Sequence, residues 1–137
     1  MLRFHNFYPL ILLVFTIGCS ENVGLKGTVT FSDDGSPLTV GTVAFLKDGE
    51  IARAPLDEKG NYVVGFERAA NGLPPGRWQV YITGAEEVVN RDEETGTVTR
   101  APLIEAKYQN PETSELVLEV NASTRDFSFS VDRVSKP

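Results

Sequence analysis

The chain has 137 residues, and its 13 Lys and Arg residues against 19 Asp and Glu residues give a formal net charge of −6. Its single cysteine, Cys19, excludes an internal disulfide, a CxxC redox pair and a multi-cysteine zinc site. The length allows one ordinary domain. Nucleic-acid binding depends on Lys and Arg contacts to phosphate, so an acidic chain without a basic cluster is expected to have no nucleic-acid partner.

Residues 1–18 have the layout of an export signal. Arg3 supplies the positive charge, an apolar run extends from Tyr8 to Ile17, and Gly18 is the small residue that precedes a peptidase cut. The run is too short for a transmembrane helix, which needs about 18 or more apolar residues. We therefore predict a signal peptide that is removed.

The residues around the expected cut carry a more specific signal. Thr16-Ile17-Gly18-Cys19 resembles the lipobox of bacterial lipoproteins, with Thr16 where Leu is most usual. The resemblance implies that Cys19 receives fatty-acid chains such as palmitate, becomes the mature N-terminus and anchors the protein to a membrane. The alternative is a secreted protein whose cysteine lies near the cut by chance. Residues 19–22 would form a short tether, and Ser20, which is not the Asp that retains some lipoproteins at the inner membrane, favours the outer membrane.

Removal of the signal changes the chemistry of the chain. Arg3 and His5 leave with it, so 12 basic residues face 19 acidic ones, the net charge becomes −7 and no histidine remains. Lipid on Cys19 also leaves no free thiol. Imidazole and thiolate are the usual general bases, nucleophiles and soft metal ligands. We therefore predict no enzyme activity, no catalytic residue, no metal and no cofactor, with the lipid as the means of membrane attachment.

From Val23 onward, apolar residues alternate with a period of two, which is typical of half-buried strands. Seven segments share this pattern, namely 23–31, 41–46, 51–56, 62–66, 78–83, 116–120 and 127–131. The pattern predicts an all-β fold, a seven-stranded antiparallel β-sandwich over residues 23–132, with a tail at 133–137. Residues 84–100 lack this pattern and are predicted to form a long acidic loop, with a small hairpin around Thr95-Gly96-Thr97 as the alternative.

Taken in order, these segments resemble the transthyretin-like, carboxypeptidase-regulatory-like modules of bacterial envelope lipoproteins. The resemblance is carried by Gly27–Phe31, Gly41–Phe45, Asp57–Tyr62, Leu73–Val80, Ala101–Tyr108, Ser114–Val120 and Phe127–Phe129. It implies a seven-stranded sandwich in the cell envelope. The transthyretin-like branch that hydrolyses a purine-degradation intermediate relies on histidines and a Tyr-Arg-Gly-Ser terminus, whereas this chain ends Val134-Ser135-Lys136-Pro137.

Two other groups of residues have structural interpretations that we favour. Asp33, Asp34 and Asp57 carry the oxygen atoms that Ca²⁺ prefers, but their spacing matches no calcium-loop pattern, so we expect them to form turns. Lys26 lies on the first predicted strand, where some surface modules cross-link a Lys to an Asn of the last strand. Residues 125–132 contain no Asn, so we expect Lys26 to be an exposed strand residue.

Aromatic residues form either a sugar-stacking platform or part of the core. Trp78, Tyr62, Phe127 and Phe129 share the inward alternation, which favours packing. Tyr108 is expected to pack at the edge of the sandwich. Tyr81, on the opposite face of its strand, is expected to face outward.

We therefore predict a lipid-anchored, non-catalytic interaction or structural module of the bacterial cell envelope, outside the cytoplasm, with an envelope protein or a glycan as its partner. The expected binding residues are Tyr81 and the acidic residues Glu86, Glu87, Asp92, Glu93 and Glu94. A carbohydrate- or peptidoglycan-binding module is the first alternative and would need exposed aromatics on one sheet face. An enzyme would need convergent carboxylates in a pocket. A two-stranded edge open to pairing would favour a protein partner.

Overall fold

The computed structural model describes residues 22–65 and 72–135, so the expected signal peptide and Cys19 lie outside the described residues. This part of the chain contains no helix with the length and apolar character needed to cross a membrane. It forms nine strands and one short 3₁₀ helix (Ala106–Gln109). The strands are β1 (Lys26–Phe31), β2 (Thr42–Lys47), β3 (Glu50–Pro55), β4 (Asn61–Val63), β5 (Gly76–Thr83), β6 (Glu86–Arg91), β7 (Val98–Pro102), β8 (Leu116–Val120) and β9 (Phe129–Val131).

The strands form three sheets. A four-stranded antiparallel sheet has the order β3-β2-β5-β8, and a three-stranded sheet has the order β4-β1-β9. In the smaller of these, β1 pairs antiparallel with β4 and parallel with β9. Strands β6 and β7 form a separate two-stranded antiparallel sheet.

The hydrophobic core lies between the two larger sheets. Trp78, Val80 and Ile82 are fully buried on alternate positions of β5, and Val29 and Val131 are fully buried in the three-stranded sheet. These residues belong to one buried cluster. The rings of Phe45 in β2 and Tyr62 in β4 lie 6.1 Å apart between centroids, across the two sheets. This arrangement is consistent with a β-sandwich.

The all-β prediction is confirmed, and each of the seven predicted segments overlaps one strand of the two larger sheets. The predicted count of seven strands is not what the described residues show, because β6 and β7 bring the number to nine. The prediction of a wholly antiparallel arrangement is wrong for β1 and β9. A parallel pair needs a long crossover connection, and the chain between β1 and β9 passes through the other sheets.

Candidate interaction site

The predicted long acidic loop is instead mostly a β-hairpin. We call residues 86–102, which comprise β6, β7 and the turn between them, the arm. Asp92 closes the turn, because its side chain accepts a hydrogen bond from the Glu94 backbone N–H at 2.9 Å and its backbone N–H donates to Thr97. Gly96 has a φ of 73°, a left-handed conformation that glycine adopts without strain. The hairpin that the sequence left as an alternative is therefore the structure of this segment.

The base of the arm is fixed to the sandwich. The Leu103 backbone N–H donates a hydrogen bond of 2.9 Å to the Ala85 carbonyl oxygen, which closes the hairpin at its base. Ala85 is buried, and Ile104 is fully buried in the core and forms a backbone bridge with Arg133. The arm is thus flanked by Ala85 on one side and by Leu103 and Ile104 on the other, all of which belong to the core or pack against it.

Beyond its base, the arm is surrounded by solvent. Every residue from 87 to 100 is exposed, although seven residues within that range are paired in the ladder between β6 and β7. Val88, Val89 and Val98 are 47%, 55% and 37% exposed, and they are three of the seven large exposed hydrophobic residues among the described residues. Single exposed valines are ordinary, but a group of them on one projecting element is typical of an interaction site.

The arm lies at the end of the sandwich opposite the N-terminal end of the described chain. Val23 forms a backbone bridge with Leu73, just before β5 begins at Gly76. Strand β5 then runs the length of the sheet to Thr83, and β6 begins at Glu86. At about 3.3 Å per residue, the eight residues of β5 separate the two ends by roughly 25 Å.

The predicted binding residues divide between two places. Glu86 and Glu87 lie on β6, and Asp92, Glu93 and Glu94 lie in the turn of the arm. Tyr81 lies instead on β5 of the four-stranded sheet, opposite Ala44 and on the face away from the core, where it is half-buried. The charge pattern thus indicated the acidic residues of the arm but not its three exposed valines. The one signal for the valines in the sequence was the Thr95-Gly96-Thr97 turn flanked by Val89 and Val98.

Asp92, one of three acidic residues in the turn of the arm, has a structural role. The pKa of Asp92 is held below its ordinary value, first by the hydrogen bond from the Glu94 backbone and then by hydrogen bonds from Thr95. An aspartate stabilised in its charged form by its own turn is typical of a turn-forming residue. Asp92 therefore shapes the arm, and Val88, Val89 and Val98 are its exposed apolar side chains.

The aspartates weighed as calcium ligands also form turns. The Asp34 side chain accepts hydrogen bonds from the backbone N–H and hydroxyl of Ser36, at 2.9 and 2.6 Å, and these bonds lower its pKa. Asp33 pairs with Arg133 at 3.0 Å. Asp57 accepts hydrogen bonds from the backbones of Lys59 and Asn61. Within residues 22–65 and 72–135, no group of three or more acidic, His or Cys side chains is placed to hold a metal ion.

A groove of about 340 Å³ lies over β1 and β4 and is the other candidate for a binding site. Its lining consists of Lys26, Gly27, Thr28, Asn61, Tyr62, Val63 and Asp126. Lys26 is exposed, as predicted. The groove contains one carboxylate, from Asp126, rather than a convergent pair, and Asp126 accepts a hydrogen bond from Ser128 at 2.8 Å. The Thr28 hydroxyl likewise donates a hydrogen bond of 2.6 Å to the Asn61 side-chain oxygen. Asp126 and Asn61 therefore each already accept a hydrogen bond from a neighbouring hydroxyl.

The aromatic residues weighed as a sugar platform belong to the core or its border, which confirms the packing interpretation. Trp78 and Tyr62 are buried, and Phe127 and Phe129 are half-buried against the core with ring centroids 5.1 Å apart. Tyr108 is buried in the 3₁₀ helix. In the part of the chain that the structure describes, no aromatic side chain is fully exposed.

No protein-family model matches the chain, and no curated protein matches it. Among solved structures, the chain is similar to a variant of BcpA, the major pilin subunit of Bacillus cereus, with 13% sequence identity and a TM-score of 0.48. The match covers 84% of this chain and 30% of the pilin chain, so the chain spans less than a third of that pilin's length. At this identity, the similarity assigns no activity or partner to the chain. The resemblance to transthyretin-like lipoprotein modules stays a prediction.

Proposed function

We propose that the chain is a lipid-anchored, non-catalytic interaction module of the bacterial envelope that binds a protein partner through the arm. The observation that carries the proposal is the exposure of every residue from 87 to 100 on a paired two-stranded sheet. A two-stranded hairpin without a packed face is marginally stable in water, and its open edges are templates for another strand. A partner that covers the arm would stabilise it.

The placement of the arm supports the same function. Lipid on Cys19 would hold the Val23 end of the sandwich at the membrane through a tether of three residues, which reaches about 10 Å. The arm would then lie at the far end, separated from the bilayer by the length of β5. The arm itself carries five acidic and two basic residues, a net charge of −3, and anionic headgroups repel it, which favours the same orientation.

A protein partner is favoured over a glycan by the surface chemistry. Sugar platforms use exposed aromatic rings, whereas the arm presents Val88, Val89 and Val98 beside two open strand edges. Because Tyr81 is half-buried and stands outside the arm, it supplies no platform by itself.

The test is crosslinking of the tagged full chain in cells, followed by mass spectrometry, with and without residues 86–102. We expect one protein at near-stoichiometric yield with the full chain and its loss when the arm is removed. The same protein at equal yield from both variants would contradict the role of the arm. Glycan fragments in place of a protein would favour the wall-binding alternative.

A further inference from the structure

The two edges of the arm differ in their capacity to pair with a copy of themselves. Strand β7 reads Val98-Thr99-Arg100-Ala101-Pro102, so antiparallel self-pairing about its centre places Arg100 against Arg100 of the second copy. Like charges directly opposite each other are destabilising, and Pro102 has no backbone N–H to donate. The β7 edge therefore opposes self-association.

Strand β6 has the opposite property. It reads Glu86-Glu87-Val88-Val89-Asn90-Arg91, and in antiparallel pairing with a second copy about its centre each residue finds a complementary partner. Glu86 faces Arg91, Glu87 faces Asn90, and Val88 faces Val89, each across a twofold axis. Among residues 22–65 and 72–135, neither Glu86 nor Arg91 forms an ion pair. Their charges are thus available to a second copy.

An irregularity in β6 makes this register geometrically consistent. Residues that pair in a sheet must lie on the same face, whereas Glu86 and Arg91, five positions apart, would lie on opposite faces of a regular strand. The register of β6 shifts between Val88 and Asn90, where Val89 is the extra residue. Glu86 pairs with Pro102 and Arg91 with Val98, and these two β7 residues, four positions apart, share a face. The bulge therefore brings Glu86 and Arg91 to the same face.

We propose that β6 pairs antiparallel with β6 of a second copy across a twofold axis, which joins two arms into one four-stranded sheet. This inference rests on the proposed function, because it names the partner of the arm. The interface would contain two Glu86–Arg91 pairs at its ends and Val88 and Val89 of both copies at its centre. Such an isologous contact closes as a dimer and leaves the β7 edges outside.

The interface is small, with one strand of six residues from each copy. Interfaces well below about 1,000 Å² form weak complexes in dilute solution. Copies anchored by lipid to one membrane share a surface, which raises their effective concentration. The dimer is therefore expected on the membrane and is best detected there.

The first test is whether a disulfide forms between two copies of the full chain in cells, when the chain carries Glu87→Cys and Asn90→Cys together. The proposed register places residue 87 of one copy opposite residue 90 of the other, at the roughly 5 Å Cα separation that a disulfide spans. We expect a disulfide-linked dimer after mild oxidation. Each single substitution and the pair Thr99→Cys with Ala101→Cys on the β7 edge should give little dimer. These controls also show any contribution of Cys19.

The second test reverses the charges in the Glu87→Cys, Asn90→Cys background. Glu86→Arg or Arg91→Glu alone places like charges at both ends of the interface and should lower the dimer yield roughly tenfold. The chain that carries both reversals should regain the yield, which also shows that it folds. Co-expression of the two single variants should give the mixed dimer, because each then supplies the charge that the other lacks.

The outcomes separate this inference from the proposed function. No disulfide dimer, or no recovery in the doubly reversed chain, would overturn self-pairing through β6. If the arm then still crosslinks a different protein, the proposed function stands with another partner. If the arm crosslinks neither a second copy nor another protein, both proposals fail.

Discussion

The Tyr62 hydroxyl donates a hydrogen bond to the Phe127 carbonyl oxygen. Both oxygen atoms lie within 2.6 Å of the position that a β-carbon on Gly27 would take. The bond joins β4 to the segment that leads into β9, and Gly27 of β1 lies between them. Burial raises the pKa of the Tyr62 hydroxyl, with a smaller contribution from the charge of Asp126. Tyr62 therefore stays neutral and a donor at physiological pH. The three strands of the smaller sheet are held together at this contact.

Replacement of Gly27 by Ala should destabilise the domain. A β-carbon there would overlap the Phe127 carbonyl oxygen and would come within 2.6 Å of the Tyr62 hydroxyl oxygen. We expect a loss of about 1–3 kcal/mol in the free energy of unfolding, measured by urea denaturation. Gly24→Ala is the matched control, because nothing lies within 4 Å of the position that a β-carbon would take on Gly24. A loss of equal size in both variants would show that the contact is not the cause.

Removal of the arm should leave the sandwich folded. Ala85 and Leu103 are already joined by a backbone hydrogen bond, so a two-residue turn can replace residues 86–102. Since the residues from 87 to 100 are exposed, their loss should change the free energy of unfolding by less than about 1 kcal/mol. Ile104→Ala, beside the arm but fully buried, should cost about 2–5 kcal/mol. If circular dichroism shows that the arm-deletion variant is unfolded, the arm supports the core and the prediction is wrong.

Stability should fall at acidic pH through Asp132. Its carboxylate accepts hydrogen bonds from the Ser32 and Tyr108 hydroxyls, at 2.5 and 3.1 Å, and lies 3.5 Å from the Lys107 ammonium. The Ser32 bond is the largest of the causes that lower the pKa of Asp132 below its ordinary 3.8. A carboxylate whose pKa is lower in the folded state stabilises the fold fully at a pH above its pKa in the unfolded state. That contribution is lost as the pH falls through the pKa of the folded state.

The measurement is urea denaturation between pH 7 and pH 3. Asp132→Asn should show a smaller loss of stability on acidification than the parent chain, because it has no carboxylate to protonate there. Ser32→Ala keeps the carboxylate but removes its main donor and should also reduce the loss. An unchanged pH dependence in both variants would exclude Asp132 as a source of acid sensitivity.

Membrane attachment should depend on Cys19. We expect the full chain to take up a metabolic fatty-acid label and to sediment with membranes, since stable anchoring requires more than one acyl chain. Cys19→Ser should abolish both the label and the sedimentation. A labelled Cys19→Ser chain, or an unlabelled parent chain, would refute the lipobox interpretation.

The sequence predicted the strands that bury one face. In β5, apolar Trp78, Val80 and Ile82 alternate with polar or half-buried residues because one side faces the core. Hydrophobic periodicity reports that asymmetry directly. The parallel pairing of β1 with β9 left no such mark, because it depends on how distant segments meet.

For residues 84–100 the sequence favoured a loop and left the hairpin as an alternative, for the same physical reason. Neither face of β6 or β7 is buried, so no alternation of apolar and polar residues is required, and the extra residue Val89 shifts what alternation there is. The acidic residues of the candidate site were visible as a charged segment. That Glu86 and Arg91 share a face could be seen only from the register.

The most direct test of the arm as the interaction site is site-specific photo-crosslinking in living cells from position 88. Val88 lies on β6 of the arm and Val117 on the outer face of the four-stranded sheet, and their exposures of 47% and 39% are similar. We predict a discrete crosslinked protein, either a second copy or another chain, from a photoreactive residue at 88 and none from one at 117. Crosslinks from position 117 alone, or none from position 88, would contradict the claim that the arm is the interaction site.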